Sequence, residues 1–121
     1  MRNVAILPDG KYTQVCGYAD IPDPNEPGSL EVHFPSSPTG NYKVLGTDYD
    51  NYASVYSCKD LILGFKLEFA WLLVRDPENV SQEIIAKAYN DFTTNGIPLD
   101  DFEKVDHQGC TYEDASNPPC N

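Results

Sequence analysis

Turn-forming residues cut the chain into short extended segments all the way to Pro77, and a helical stripe begins only after them. Val4-Ala5-Ile6-Leu7 stops at Pro8-Asp9-Gly10, and Asp-Gly between two extended runs signals a hairpin. Tyr12 to Ala19, rich in Thr, Val and Tyr, reads as the second strand. Pro22 to Gly28 is a loop, because Pro22, Pro24 and Pro27 lack the N–H groups a strand ladder needs. Leu30-Glu31-Val32-His33-Phe34 then alternates with period two, so Leu30, Val32 and Phe34 share a face. Asn41 to Asp48 and Asn51 to Cys58 flank the turn around Asp48-Tyr49-Asp50-Asn51, and Phe65 to Val74 follows Gly64.

In that last segment Leu67, Phe69, Trp71 and Leu73 occupy one face. The other face starts charged with Lys66 and Glu68 and turns apolar at Ala70, Leu72 and Val74, so something must cover its end. The helix that follows is the expected cover. Ser81 caps it, Glu83 sits in its first turn, and Gly96 closes it after Asn95, while Pro98 bars continuation. Ile84, Ile85, Ala88, Tyr89 and Phe92 recur at helical spacing. Phe102 to Val105 is expected to add a last short strand. Six strands in succession with one helix outside predict an antiparallel up-and-down β-barrel. Closing one around a small ligand takes about eight strands, which is two more than are found.

Charge narrows the partners. Eight Lys and Arg against 19 Asp and Glu give a formal charge of −11, which repels phosphate backbones and anionic lipid surfaces. No nucleic acid is therefore expected as a partner. No apolar run approaches the roughly 18 residues a membrane-spanning helix needs. Cys16, Cys58, Cys110 and Cys120 lie far apart with no Cys-x-x-Cys pair, which suits disulfides in an oxidising compartment better than zinc. Asn79-Val80-Ser81 is a glycosylation sequon and agrees with secretion. Met1-Arg2-Asn3-Val4 opens without the apolar stretch of an export signal, so a secreted-type chain lacking its N-terminus is expected.

Catalysis finds little support. His33 and His107 are the only general-base candidates near neutral pH, His33 alternates with the apolar face, and neither adjoins a nucleophile motif. No required cofactor and no metal site are expected.

Two motifs add a family resemblance. Gly46-Thr47-Asp48-Tyr49-Asp50-Asn51-Tyr52-Ala53-Ser54-Val55-Tyr56-Ser57-Cys58 resembles the second signature of the lipocalins, in their apolipoprotein D, retinol-binding and crustacyanin groups. Phe69-Ala70-Trp71-Leu72-Leu73-Val74-Arg75-Asp76-Pro77 resembles the third, and Asn90 to Cys110 resembles the region after the family's helix. The first signature, Gly-x-Trp, is absent, and the one tryptophan, Trp71, stands elsewhere.

The resemblance implies an all-β lipocalin-type barrel with one C-terminal external helix. Residues 1–121 would form a single domain, truncated at its N-terminus with the first two strands missing. Strand parity and the resemblance together point Phe69, Trp71, Leu73, Tyr42, Val44, Val32, Phe34 and Val55 into an enclosed ligand hollow. The implied cargo is a small hydrophobic molecule or a bound chromophore, carotenoid or biliverdin first, fatty acid or steroid next. Also implied are a Cys16–Cys120 disulfide, partners for Cys58 and Cys110 in the missing part, and glycosylation at Asn79. Arg75 would be structural, deprived of the tryptophan ring the family places under it. A second reading is an interaction subunit that completes its barrel with another chain, as a homo- or hetero-oligomer, through its open strand edges.

Overall fold

The computed structural model describes residues 1–110. Strands β1 (Arg2–Ile6) and β2 (Tyr12–Cys16) form a two-stranded hairpin. Strands β3 (Tyr18–Asp20), β4 (Ser29–His33), β5 (Gly40–Thr47), β6 (Tyr52–Asp60) and β7 (Lys66–Val74) form a five-stranded sheet. Each of its strands pairs antiparallel with the next. Helix α1 (Gln82–Thr94) follows. This is the up-and-down order with an external helix that the resemblance implies, and among the described residues the barrel is not closed.

The expected second strand divides in two. Gly17 separates β2 from β3, and the two halves join different sheets. The reason is a close approach: a Cβ at position 17 would overlap the His33 carbonyl oxygen and lie 2.6 Å from the Phe34 ring. Only glycine admits that contact. Gly17→Ala is therefore expected to destabilise the fold by about 1–3 kcal/mol, because a backbone atom must move to relieve the overlap. Urea unfolding of the two proteins checks it; equal midpoints would mean that the crossing of β3 and β4 is looser than described.

Register assigns the two faces of the large sheet, since residues directly opposite one another point the same way. Val44 faces Val55, and Val55 faces Trp71. Ser54 faces Leu72 and Gly46, with a bulge between Val44 and Gly46. The helix lies on the Ser54 face. The Ser54 hydroxyl donates to the Ala88 carbonyl at 3.1 Å, and both residues are fully buried. The Asp91 side chain occupies the space a Cβ at Gly46 would need. The main contacts of α1 fall on β6 and β5. The cover is thus centred inward of β7, whose outer face the sequence had marked for it.

Local chemistry ends the helix where expected. The Ser81 hydroxyl accepts the Ile84 N–H at 3.2 Å. At the other end Gly96 takes a left-handed φ of 74°, the Ile97 N–H reaches the Phe92 carbonyl at 3.0 Å, and the Gly96 N–H reaches that of Thr93 at 3.0 Å. Phe102 does not enter a strand. Its ring packs 4.8 Å from Phe92 and 5.9 Å, edge-on, from Tyr89, so Phe102 anchors on the helix and residues 102–105 do not extend the sheet. Two aromatic partners on α1 outweigh the strand preference of a four-residue run. A further difference lies between β6 and β7, where Ile62–Gly64 form a single 3-10 turn.

Candidate functional site

On the face opposite the helix, seven of the eight residues named from sequence share one surface. Val55 is 1% exposed at its centre and faces Val44 on one side and Trp71 on the other. Tyr42 stands two residues from Val44 on β5 and faces Leu30, which shares its side of β4 with Val32. Phe69 and Leu73 flank Trp71 on β7. Phe34 lies just past β4 with its ring beside Gly17. The aromatic rings form a continuous slab: Tyr42 and Trp71 stack at 6.1 Å, and Trp71 and Phe69 at 5.7 Å with planes only 7° apart.

The expected enclosure is absent among the described residues. Phe69, Trp71 and Leu73 remain 48%, 39% and 44% exposed, so the face is an open wall and not a hollow. The physical cause is the strand count: β3 and β7 are the edges of a five-stranded sheet and do not pair with each other. The hollows elsewhere do not substitute for it. One of about 420 Å³ lies between Pro77-Glu78 and residues 104–108, and another of about 270 Å³ adjoins Arg75 and Ser81. Neither is lined by any of the eight residues.

Leu67, which parity already puts on this face, continues the wall along β7 beyond Phe69. Two residues not singled out from sequence complete it, Ser57 and Ala53, which face Phe69 and Leu73. Parity places these two once the register of β6 against β7 is known. Burial raises the pKa of the Tyr42 phenol, so it stays protonated and able to donate a hydrogen bond at physiological pH.

One end of the sheet is built rigidly. The Asp48 carboxylate accepts the Asn51 N–H and the Asn51 amide, both at 2.7 Å, and the N–H groups of Tyr52 and Asp50 at 3.1 and 3.2 Å. These bonds, led by the Asn51 side chain, pull its pKa down to about 2. The Thr47 hydroxyl donates to the Tyr52 carbonyl at 2.6 Å and accepts the Tyr49 N–H at 2.9 Å. Arg75 finds its partners here too, donating to the carbonyls of Asp50 (3.0 Å) and Tyr49 (2.7 Å). Backbone oxygens thus serve the guanidinium, which welds the end of β7 to the β5–β6 turn.

Because the folded pKa of Asp48 lies below its unfolded value near 3.8, its stabilising share is intact above about pH 4. It is lost as pH falls through about 2. Asp48→Asn should flatten that part of the acid-unfolding profile and lower stability at neutral pH. Profiles of both proteins followed by circular dichroism test this, and superimposable curves would refute it.

The remaining candidates sit away from the wall. His33 is on the opposite side of β4, its ring stacked on Tyr18 at 4.6 Å, 3.2 Å from the Asp20 carboxylate and 3.2 Å from the Thr39 hydroxyl. Asn79 is exposed and donates its amide to Asp76 at 2.9 Å. That bond, its largest cause, lowers the Asp76 pKa. Cys16 is disulfide-bonded, whereas Cys58 and Cys110 are free thiols. Cys120 lies outside the described residues. Among the described residues no cluster of three or more His, Cys, Asp or Glu is arranged to hold a metal, and no helix is long and apolar enough to cross a membrane.

Comparison with known proteins places this geometry. The model of the lipocalin / cytosolic fatty-acid binding protein family matches residues 18–109. Apolipoprotein D of Mus musculus is 38% identical over 109 residues, covering 89% of this chain and 57% of that protein. The Lazarillo protein of Schistocerca americana is 37% identical over 81 residues, covering 65% and 37%. Among solved structures, H1 crustacyanin from the lobster Homarus americanus superposes with a TM-score of 0.76 at 26% identity, covering 92% of this chain and 61% of that one. The chain therefore spans a little over half the length of the apolipoprotein D relatives it matches.

Proposed function

The chain belongs to the lipocalin family, and from that premise we propose that it contributes the aromatic wall of a carrier for a small, flat, hydrophobic molecule. The observation that carries this reading is the stacked slab of Tyr42, Trp71 and Phe69 over the buried Val55. Large aromatics left 39–48% exposed on a sheet face are an unfavourable surface in water, and a flat ligand laid across them relieves it. Each square ångström of apolar area so covered contributes about 25 cal/mol. A carotenoid or bilin suits parallel rings best, with a fatty acid or steroid next. The neutral Tyr42 hydroxyl sets orientation by donating to a polar end group. The place of action is extracellular, with Asn79 glycosylated and Cys16 bridged to Cys120.

Chemistry plays no part in this reading. The family binds and carries, and His33, tied between Asp20, Thr39 and Tyr18, is turned away from the wall.

The test is titration of the 121-residue chain with a carotenoid and, separately, with biliverdin, followed by quenching of Trp71, the single tryptophan. Saturable quenching is the expected result. A linear response matching that of free tryptophan would end the carrier reading.

One observation favours a second reading. Strand β7 pairs only with β6 among the described residues, which leaves the other side of a nine-residue edge open beside an apolar face. An interaction subunit would pair there with another chain. Obligate assembly on size exclusion, without ligand uptake, would favour it; a monomer that takes up ligand would favour the carrier.

A further inference from the structure

The turn joining β6 to β7 has the opposite character from the rest of this acidic chain. Leu61, Ile62, Leu63 and Phe65 are 46%, 86%, 89% and 67% exposed, four large apolar side chains in five residues. The loop is not slack. The Leu61 N–H donates to the Phe65 carbonyl at 2.7 Å, closing the tip, and Leu63 is held at a φ of 64°, where a leucine is disfavoured. A strained backbone that pushes leucine into water works against folding, and such a cost points to use. Lys59, Asp60 and Lys66 flank the tip, giving it a local charge of opposite sign to the −11 of the whole chain.

We propose that this tip is a wedge that docks the protein on a zwitterionic lipid surface. Shape decides between lipid and protein. A stable protein interface needs about 800 Å² from each partner with matched relief, and one convex turn supplies neither. A lipid surface accepts any small apolar wedge, with aliphatic and aromatic side chains entering the acyl boundary and lysines staying at the phosphates. The charge that excludes anionic surfaces for the chain as a whole does not oppose a neutral one.

Position gives the wedge a purpose. It lies at the sheet end opposite the braced Thr47–Asn51 turn, and the wall begins at Leu67, two residues past Phe65. Cargo leaving a lipid surface meets Leu67, then Phe69 and Trp71. This link to cargo rests on the carrier reading; docking itself does not.

The experiment is co-sedimentation of the 121-residue chain with phosphatidylcholine vesicles, comparing the unmodified protein with Ile62→Asp/Leu63→Asp. Both side chains are almost fully exposed, so the fold should survive. Leu63→Asn, suited to the left-handed backbone, is the milder companion. Partition should fall about tenfold or more in the double variant and less in Leu63→Asn, and added salt should not abolish it. Uptake of a carotenoid in buffer should be unchanged. Equal partition by all three proteins, no partition by the unmodified chain, or binding only to anionic vesicles would overturn the proposal. So would a dimer that the double variant dissolves and that never meets the vesicles. Lost carotenoid uptake with the vesicle difference intact would overturn the carrier reading alone.

Discussion

Phe92→Ala should cost about 3–5 kcal/mol of stability and lower the unfolding temperature by roughly 10–20 °C. Phe92 is 0% exposed, with Phe102 against it at 4.8 Å, and its carbonyl accepts the N–H groups of Asn95 and Ile97. Truncation to alanine leaves a cavity beside the Phe102 ring, which the surroundings fill only in part. Small domains have only about 5–15 kcal/mol in reserve, so the helix would lose much of its seat. Thermal unfolding by circular dichroism reads the effect directly. A loss below about 1 kcal/mol would mean that α1 is an accessory to the sheet and not part of its cooperative core.

The second large effect concerns binding. Phe69→Ala/Trp71→Ala removes the slab while leaving the helix face in place. These rings are 48% and 39% exposed, so part of each is buried in the folded protein and the double variant also loses some stability, which thermal unfolding measures separately. A bound flat ligand would lose two aromatic partners, each contributing about 1.5–3 kcal/mol of burial. Affinity for biliverdin or a carotenoid should fall about 100-fold or more, measured by ligand absorbance because the tryptophan is gone. Unchanged affinity would place the ligand somewhere other than this wall.

The wall was legible in sequence because strand parity is strict. Once Phe65 to Val74 is read as a strand, Leu67, Phe69, Trp71 and Leu73 must share a side. The helix was legible for a similar reason: capping by Ser81 and closure by Gly96 depend on neighbours within a few residues. Failures came where a distant partner overrode a local preference. Phe102 has the neighbours of a strand residue but finds Phe92 and Tyr89 instead. Gly17 looks like an interior strand residue until His33 and Phe34 arrive against it. The tip at residues 61–65 is not legible in sequence, because its apolar side chains resemble any strand interior and only the fold turns them to water.

Taken alone, the order of residues determined which segments extend, where they turn, which side chains alternate together, and where the helix starts and stops. All of these follow from interactions across a few bonds. Tertiary structure decided that the aromatic wall stands open, that Arg75 is held by loop carbonyls, that the helix seats on β6 and β5, and that Tyr12 to Ala19 divides between two sheets. Each depends on which strand edge lies beside which, and pairing across a sheet is set by contacts far apart in the chain that no local pattern encodes.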